Sequence, residues 1–260
     1  MASLGGQVER KHPAGCRRRE RQGAAGLGLS CVAEPEAIPD RMLTLLYGGT
    51  FDPVHHGHLA VARAARDALG ARVHLVPAAD PPHRAPPGAS AAQRAAMLDL
   101  AIAGEPGLTV DRRELGRAGP SYTFDTLAEL RRERGPAAPL AWLVGADAFR
   151  GLPGWHRWRE LFDLAHWVVA VRPGHDLAAL DEPLASACAG RWVREPDALT
   201  AAPAGRIFVL EMPLRPESAS ELRRRIAARE DWAEMLPAAV AGYIRTEGLY
   251  GAVPRRPRGR

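Results

Sequence analysis

Lysine is almost missing from this chain of 260 residues: Lys11 is the only one, and arginine carries the rest of the basic charge. The net charge of +5 is not spread evenly. Residues 1–41 hold seven Lys/Arg against five Asp/Glu, and residues 252–260 hold four arginines and no acid, so the residues between carry a net charge of −1. A polyanion-binding face needs cations clustered on the folded body, so nucleic acid is not an expected partner. Cysteine is scarce as well. Cys16, Cys31 and Cys188 form no CxxC pair, which excludes a zinc ribbon and a disulfide framework. No apolar run reaches the roughly 18 residues of a membrane helix, so no membrane partner is expected. Residues 1–40 lack the sustained apolar core of a signal peptide, and the expected location is cytoplasmic.

Three familiar site signatures are absent too. There is no G-x-G-x-x-G dinucleotide fingerprint after the first strand and no P-loop Lys-Ser/Thr. A helical HExxH zinc site would need Glu at 56 and His at 59, where His56 and Leu59 stand. No protein-held metal is therefore expected. Nothing in the sequence chooses between monomer and homo-oligomer.

Hydrophobic residues make up 46% of the chain, enough for a sizeable core. Residues 1–41 carry no periodic pattern and read as a disordered extension or an upstream start-site artefact, with Met42 a plausible start. Residues 252–260 read as a loose basic tail. Between them, in 42–251, short apolar runs alternate with helical patterns. Leu43–Tyr47, Val73–Pro77, Leu108–Val110, Leu140–Val144, Trp167–Val171 and Ile207–Leu210 read as buried strands. His58–Leu69, Ala91–Ala103, Phe124–Arg134, Ser220–Ala228 and Ala238–Thr246 read as helices, with a further short one over Trp155–Phe162. Residues 173–206 are weakly patterned and read as a helix plus loops. The alternation predicts an α/β fold, a mostly parallel sheet covered on both faces, with ligands at the carboxyl ends of the strands.

The segment after the first strand reads Gly48-Gly49-Thr50-Phe51-Asp52-Pro53-Val54-His55-His56-Gly57-His58. The glycines permit a sharp turn and close approach to a ligand. His55 and His58, three apart at a helix start, can share one side, and a helix N-terminus favours an anion. Nothing assigns a role to His56. Near the far end, Glu217-Ser218-Ala219-Ser220-Glu221-Leu222-Arg223 is a helix start in which Ser218 and Glu221 form a capping box. A hydroxyl of Ser220 and the Arg223 guanidinium would converge there on an anion. Arg224 and Arg225 read as solvated or packed by their stems.

The first string resembles the HxGH nucleotidyltransferases, and Ser218–Arg223 resembles their second signature, with Glu217 where Ile is usual. A carboxylate beside a triphosphate is repulsive, so Glu217 should point away or be paired. Pro81-Pro82-His83-Arg84, Pro120–Thr126, Gly145–Asp147, Trp155, Arg172-Pro173-Gly174 and the ending Tyr243–Tyr250 extend the likeness over Leu43 to Tyr250, where the chain resembles the bacterial nicotinate-nucleotide adenylyltransferases. That resemblance implies a Rossmann-like fold. It also implies transfer of AMP from ATP to nicotinate mononucleotide, with Mg2+ accompanying the ATP.

The site residues follow from the same likeness. His55, His58 and Arg223 would be catalytic. Gly48, Gly49, Thr50, Phe51, Gly145, Asp147, Arg172, Ser218 and Ser220 would bind ATP. His83, Arg84, Tyr122, Thr123 and Trp155 would bind the mononucleotide, with Arg84 where Lys is usual. Read without the likeness, Ser121 or Thr123 is an ordinary helix cap, Asp147 caps a helix over Ala148–Leu152, and Trp158 and Trp167 are core. Other acceptors, nicotinamide mononucleotide or phosphopantetheine, are served by the same architecture, although Thr usually replaces His55 in the phosphopantetheine group. A non-catalytic nucleotide-binding regulator would not need His55, His58, Ser220 and Arg223 intact.

Overall fold

The computed structural model describes residues 42–79, 88–171, 177, 180–212 and 217–253. Seven strands form one sheet: β1 (Thr44–Gly49), β2 (Arg72–Pro77), β3 (Leu108–Val110), β4 (Leu140–Gly145), β5 (His166–Val171), β6 (Trp192–Val193) and β7 (Ile207–Glu211). Their order is β3-β2-β1-β4-β5-β7-β6 and every pairing is parallel. The chain winds outward from β1 through β2 to β3, then returns to lay β4 on the other side of β1. The crevice above the carboxyl ends of β1 and β4 is therefore the topological switch point, where doubly wound sheets bind ligands.

Parallel strands covered on both faces must be apolar on both, and successive side chains alternate between the faces. Leu45, Leu75, Leu143 and Val168 pack on one face with α1 (His56–Leu69), α2 (Ala91–Ile102), α7 (Ala219–Ala228) and α8 (Ala238–Glu247). Leu46, Val76, Trp142, Val144 and Trp167 pack on the other with α3 (Thr123–Arg134), α4 (Ala146–Arg150), α5 (Leu161–Leu164) and α6 (Leu184–Cys188). The six strands and five long helices expected from periodicity are all present. Three expectations need correction. The helix expected over Trp155–Phe162 is a run of turns followed by α5, because the chain bends at Arg157 with φ of +52°. The stretch 173–206 also holds β6, two residues long, which is too short to show a period. The first strand runs on through both glycines to Gly49.

Candidate active site

Since Gly48 and Gly49 are strand residues, their lack of a side chain serves close approach rather than a turn. A Cβ on Gly48 would lie 2.2 Å from the Trp142 indole, and one on Gly49 3.0 Å from the Phe51 ring. The turn falls instead at Phe51, at φ of +51°. Its side chain is buried, edge-on to Tyr47 and His58 with centroids 5.5 and 5.1 Å away, so only its backbone is left for a nucleotide.

The loop is tied down from several sides. The Asp52 carboxylate accepts from the N–H groups of Gly88 (2.8 Å) and Ala89 (3.1 Å) and from the Tyr250 hydroxyl (2.6 Å). Arg94, wholly buried, donates to the Thr50 carbonyl at 2.7 Å and to the carbonyls of Ala79 and Ala89. A guanidinium's fixed fork suits several acceptors at once.

His55 occupies the N-cap of α1, in extended backbone, and His58 lies in its first turn. Their rings are stacked, centroids 3.8 Å apart and planes 30° from parallel. The His55 N–H donates to His58 Nδ1 at 3.3 Å. That ring nitrogen is therefore an acceptor, and a neutral His58 carries its proton on Nε2. Among the described residues His55 Nδ1 is buried with no hydrogen-bond partner. Gly57 makes this arrangement possible: a Cβ there would come within 2.9 Å of His55 Nδ1 and Cε1, and 3.4 Å of the Glu217 carbonyl oxygen. Burial pushes His55 down to about 4, with Glu217 opposing and His56 reinforcing the effect. Burial and His55 hold His58 well below the usual range. Both rings are neutral near pH 7.

Two cavities open at the switch point. The larger, about 630 Å³, is walled by His55, Gly57, His58, Asp147, Met212 and Glu217. The smaller, about 370 Å³, is walled by Gly48, Thr50, Glu114, Tyr122, Thr123 and Trp142. Tyr47, Gly145, Ala148 and Trp155 line both. The structure thus brings His55, His58, Gly145, Asp147 and Trp155 together at one cavity. Gly48, Gly49 and Thr50, expected on ATP, share the other with Tyr122 and Thr123.

The remaining expected site residues fall less neatly. Glu217 belongs to the larger cavity's wall, and its charge acts on His55. Ser218 caps α7, accepting from Glu221 N–H at 3.2 Å. The return half of the capping box is not made, because the Glu221 carboxylate is held by Arg224 at 2.8 Å and Arg225 at 2.7 Å. These arginines are ion-paired rather than merely solvated. Ser218 and Ser220 are exposed and line neither cavity. Arg223 donates to the Asp52 carbonyl at 2.6 Å, which joins the start of α7 to the loop after β1. Asp147 sits inside the first turn of α4 rather than at its cap, since Gly145 holds the N-cap position. Tyr122, not Ser121 or Thr123, is at the N-cap of α3, and no side chain caps that helix. Trp158 and Trp167 are core, as expected. His83, Arg84 and Arg172 lie outside the described residues.

Sequence reasoning missed Tyr47, Trp142, Glu114 and His156, all on the smaller cavity. The His156 ring lies 4.5 Å from that of Tyr122. Tyr47 and Trp142 read as strand core, and only the β1–β4 pairing reveals that both border the crevice. His156 follows Trp155 directly, so the aromatic Trp-His pair in a Pro-Gly loop was the available signal.

Comparisons with known proteins agree with this geometry. The family model described as cytidylyltransferase-like matches residues 46–225. A protein of Stenotrophomonas maltophilia named probable nicotinate-nucleotide adenylyltransferase is 60% identical over 214 residues, covering 80% of this chain and 96% of its own length. One of the same name from Laribacter hongkongensis is 52% identical over 206 residues, covering 79% and 93%. Among solved structures, the Plasmodium falciparum nicotinic acid mononucleotide adenylyltransferase complexed with NaAD shares the fold, at a TM-score of 0.60 and 16% identity over 80% of this chain and 97% of that one. With two thirds of its length matched by the family model and a relative at 60% identity, the chain belongs to the cytidylyltransferase-like family and, within it, to the nicotinate-nucleotide adenylyltransferases.

Proposed function

We propose that the chain transfers the adenylyl group of ATP to nicotinate mononucleotide, giving deamido-NAD and pyrophosphate, with 42–251 as the working domain. The observation that carries this reading is the pair of adjoining cavities at the β1–β4 switch point, with Trp155 on the wall of both. The larger would take the triphosphate and ribose of ATP, against His55, His58 and Asp147. The smaller would take the pyridine ring and its carboxylate, against Tyr122 and Thr123, with Trp155 stacking on the ring.

The acceptor phosphate is already ionised near neutral pH, so it needs no general base. One of its oxygens attacks the α-phosphorus in line, a new P–O bond forms, and the bond to the bridging oxygen of pyrophosphate breaks. Pyrophosphate leaves with the electron pair. The protein's part is alignment and charge neutralisation. Neutral His58 offers an Nε2–H donor, and the buried His55 Nδ1, which has no hydrogen-bond partner among the described residues, gains a role when phosphate oxygens arrive. The bound polyanion favours the protonated form of both rings, so positive charge grows where the transition state needs it. Arg223, at the edge of the loop on the Asp52 carbonyl, would neutralise the leaving pyrophosphate, with Ser218 and Ser220 beside it. His83 and Arg84 would meet the acceptor phosphate and Arg172 the nucleotide.

Mg2+ brought by the triphosphate would be held mainly by phosphate oxygens and water rather than by a protein cage. Among the described residues no group of three or more His, Cys, Asp or Glu is placed to hold a metal ion, and the acidic residues on this wall, Asp147 and Glu217, would at most meet its hydration shell. The ion would supply phosphate charge neutralisation. The described residues contain no helix long and apolar enough to cross a membrane, and we place the enzyme with its nucleotide substrates in the cytoplasm.

Pyrophosphate release from ATP, with nicotinate mononucleotide, nicotinamide mononucleotide or phosphopantetheine offered in turn, tests the reading. Release at least tenfold faster with nicotinate mononucleotide is expected. Equal or faster release with either of the others would overturn the acceptor assignment.

A further inference from the structure

Behind the smaller cavity lies a buried polar cluster to which the chemistry above gives no part. Glu114, in the one-turn helix Arg113–Gly116, is only 5% exposed yet borders the cavity. Its Oε1 accepts from the hydroxyl of wholly buried Thr126, at 2.7 Å. Arg117 donates from one terminal nitrogen to Thr126 Oγ1 at 2.7 Å and Ser121 Oγ at 3.3 Å, and its other terminal nitrogen pairs with the Glu129 carboxylate. Thr126 and Glu129 lie on α3, and Ser121 belongs to the wall segment Ser121-Tyr122-Thr123. The Thr126 N–H also donates to the Tyr122 carbonyl, at 3.2 Å.

A buried carboxylate costs free energy unless it is bonded and charge-balanced, and burial holds the Glu114 carboxyl above its usual range. Holding α3 against the sheet does not require such a group, since Leu127 and Leu130 already do that. What the cluster adds is a fixed link from the short helix at 113–116 to the backbone of 121–123. An apolar packing contact tolerates small slides, whereas a chain of directional hydrogen bonds of 2.7–3.3 Å does not.

We propose that Glu114 and Arg117 are positioning residues for the acceptor, fixing through Thr126 and Ser121 the orientation of segment 121–123 that receives the pyridine carboxylate. The proposal rests on the reading of the smaller cavity as the acceptor site. Neither residue needs to touch the reacting phosphates, so the effect should fall on acceptor recognition and leave ATP and the chemical step alone.

Steady-state kinetics of Glu114→Ala, Glu114→Gln and Thr126→Val, varying each substrate in turn, tests it. Glu114→Ala and Thr126→Val should each raise KM for nicotinate mononucleotide about tenfold, the scale of one hydrogen bond's alignment. The KM for ATP and kcat should stay within about twofold. Glu114→Gln keeps an acceptor oxygen for the Thr126 hydroxyl and should recover most of the wild-type KM. Thr126→Val preserves side-chain shape, so it carries the test if Glu114→Ala fails to fold. A wild-type enzyme with active variants indistinguishable from it, or variants whose two KM values rise together, would overturn this proposal alone. A wild-type enzyme inactive with nicotinate mononucleotide would overturn the acceptor reading and this proposal with it.

Discussion

At the residue scale the account turns on the stacked imidazoles of His55 and His58. Burial holds His55 at about 4, against 6.5 when solvated. Between those pH values the unfolded chain binds more protons than the folded one, so stability rises with pH across that interval. The contribution is whole above pH 6.5, about 3 kcal/mol, and is lost as pH falls toward 4. Asn at position 55 cannot titrate. The drop in denaturant midpoint from pH 7.5 to pH 5 should therefore be smaller for His55→Asn than for the wild type, while its kcat at pH 7.5 falls roughly 10²-fold. Equal drops in the two proteins would mean that the ring is not buried neutral. Both histidines were legible in the sequence because their spacing at a helix start constrains them to one side. Their stacking was not legible, since it depends on Gly57 leaving room for the His55 ring.

At the element scale, β1 shows how a strand can be both core and site. Its last two residues lack side chains because Trp142 on the neighbouring strand occupies the space over Gly48 and the Phe51 ring that over Gly49. A methyl at position 48 would lie 2.2 Å from that indole, so Gly48→Ala should destabilise the fold by about 1–3 kcal/mol through overpacking. Trp142→Phe in the same chain should recover part of the loss, as a denaturant double-mutant cycle would show. Additive effects would mean that the two side chains do not compete for one space. Patterning made most elements readable, because helices of ten to fourteen residues show a repeat of 3.6 and buried strands stand out as short apolar runs. It could not reveal β6 or the turns at 156–160, where too few residues repeat. Nor could it place the end of β1, since the glycines looked like a turn and the turn belongs to Phe51, a residue rarely found at positive φ.

At the scale of the whole molecule, function follows from the winding order. Returning the chain to lay β4 beside β1 brings the loop after β1, the start of α4 and the approach to α7 around one crevice, from positions some 170 residues apart in sequence. The motifs named these segments, but only the sheet order shows that they form two adjoining cavities with Trp155 between them. The same order explains why Gly48 to Thr50 sit with Tyr122 and Thr123, while His55 and His58, five to ten residues later, sit with Asp147: the loop crosses from one side of β1 to the other. ATP labelled at the α-phosphorus, incubated with nicotinate mononucleotide, tests this arrangement most directly. The account predicts that the label passes into deamido-NAD while pyrophosphate is released unlabelled, and that His55→Asn slows the transfer roughly 10²-fold without changing the product. Label recovered as free AMP, or transferred equally well to phosphopantetheine, would contradict it.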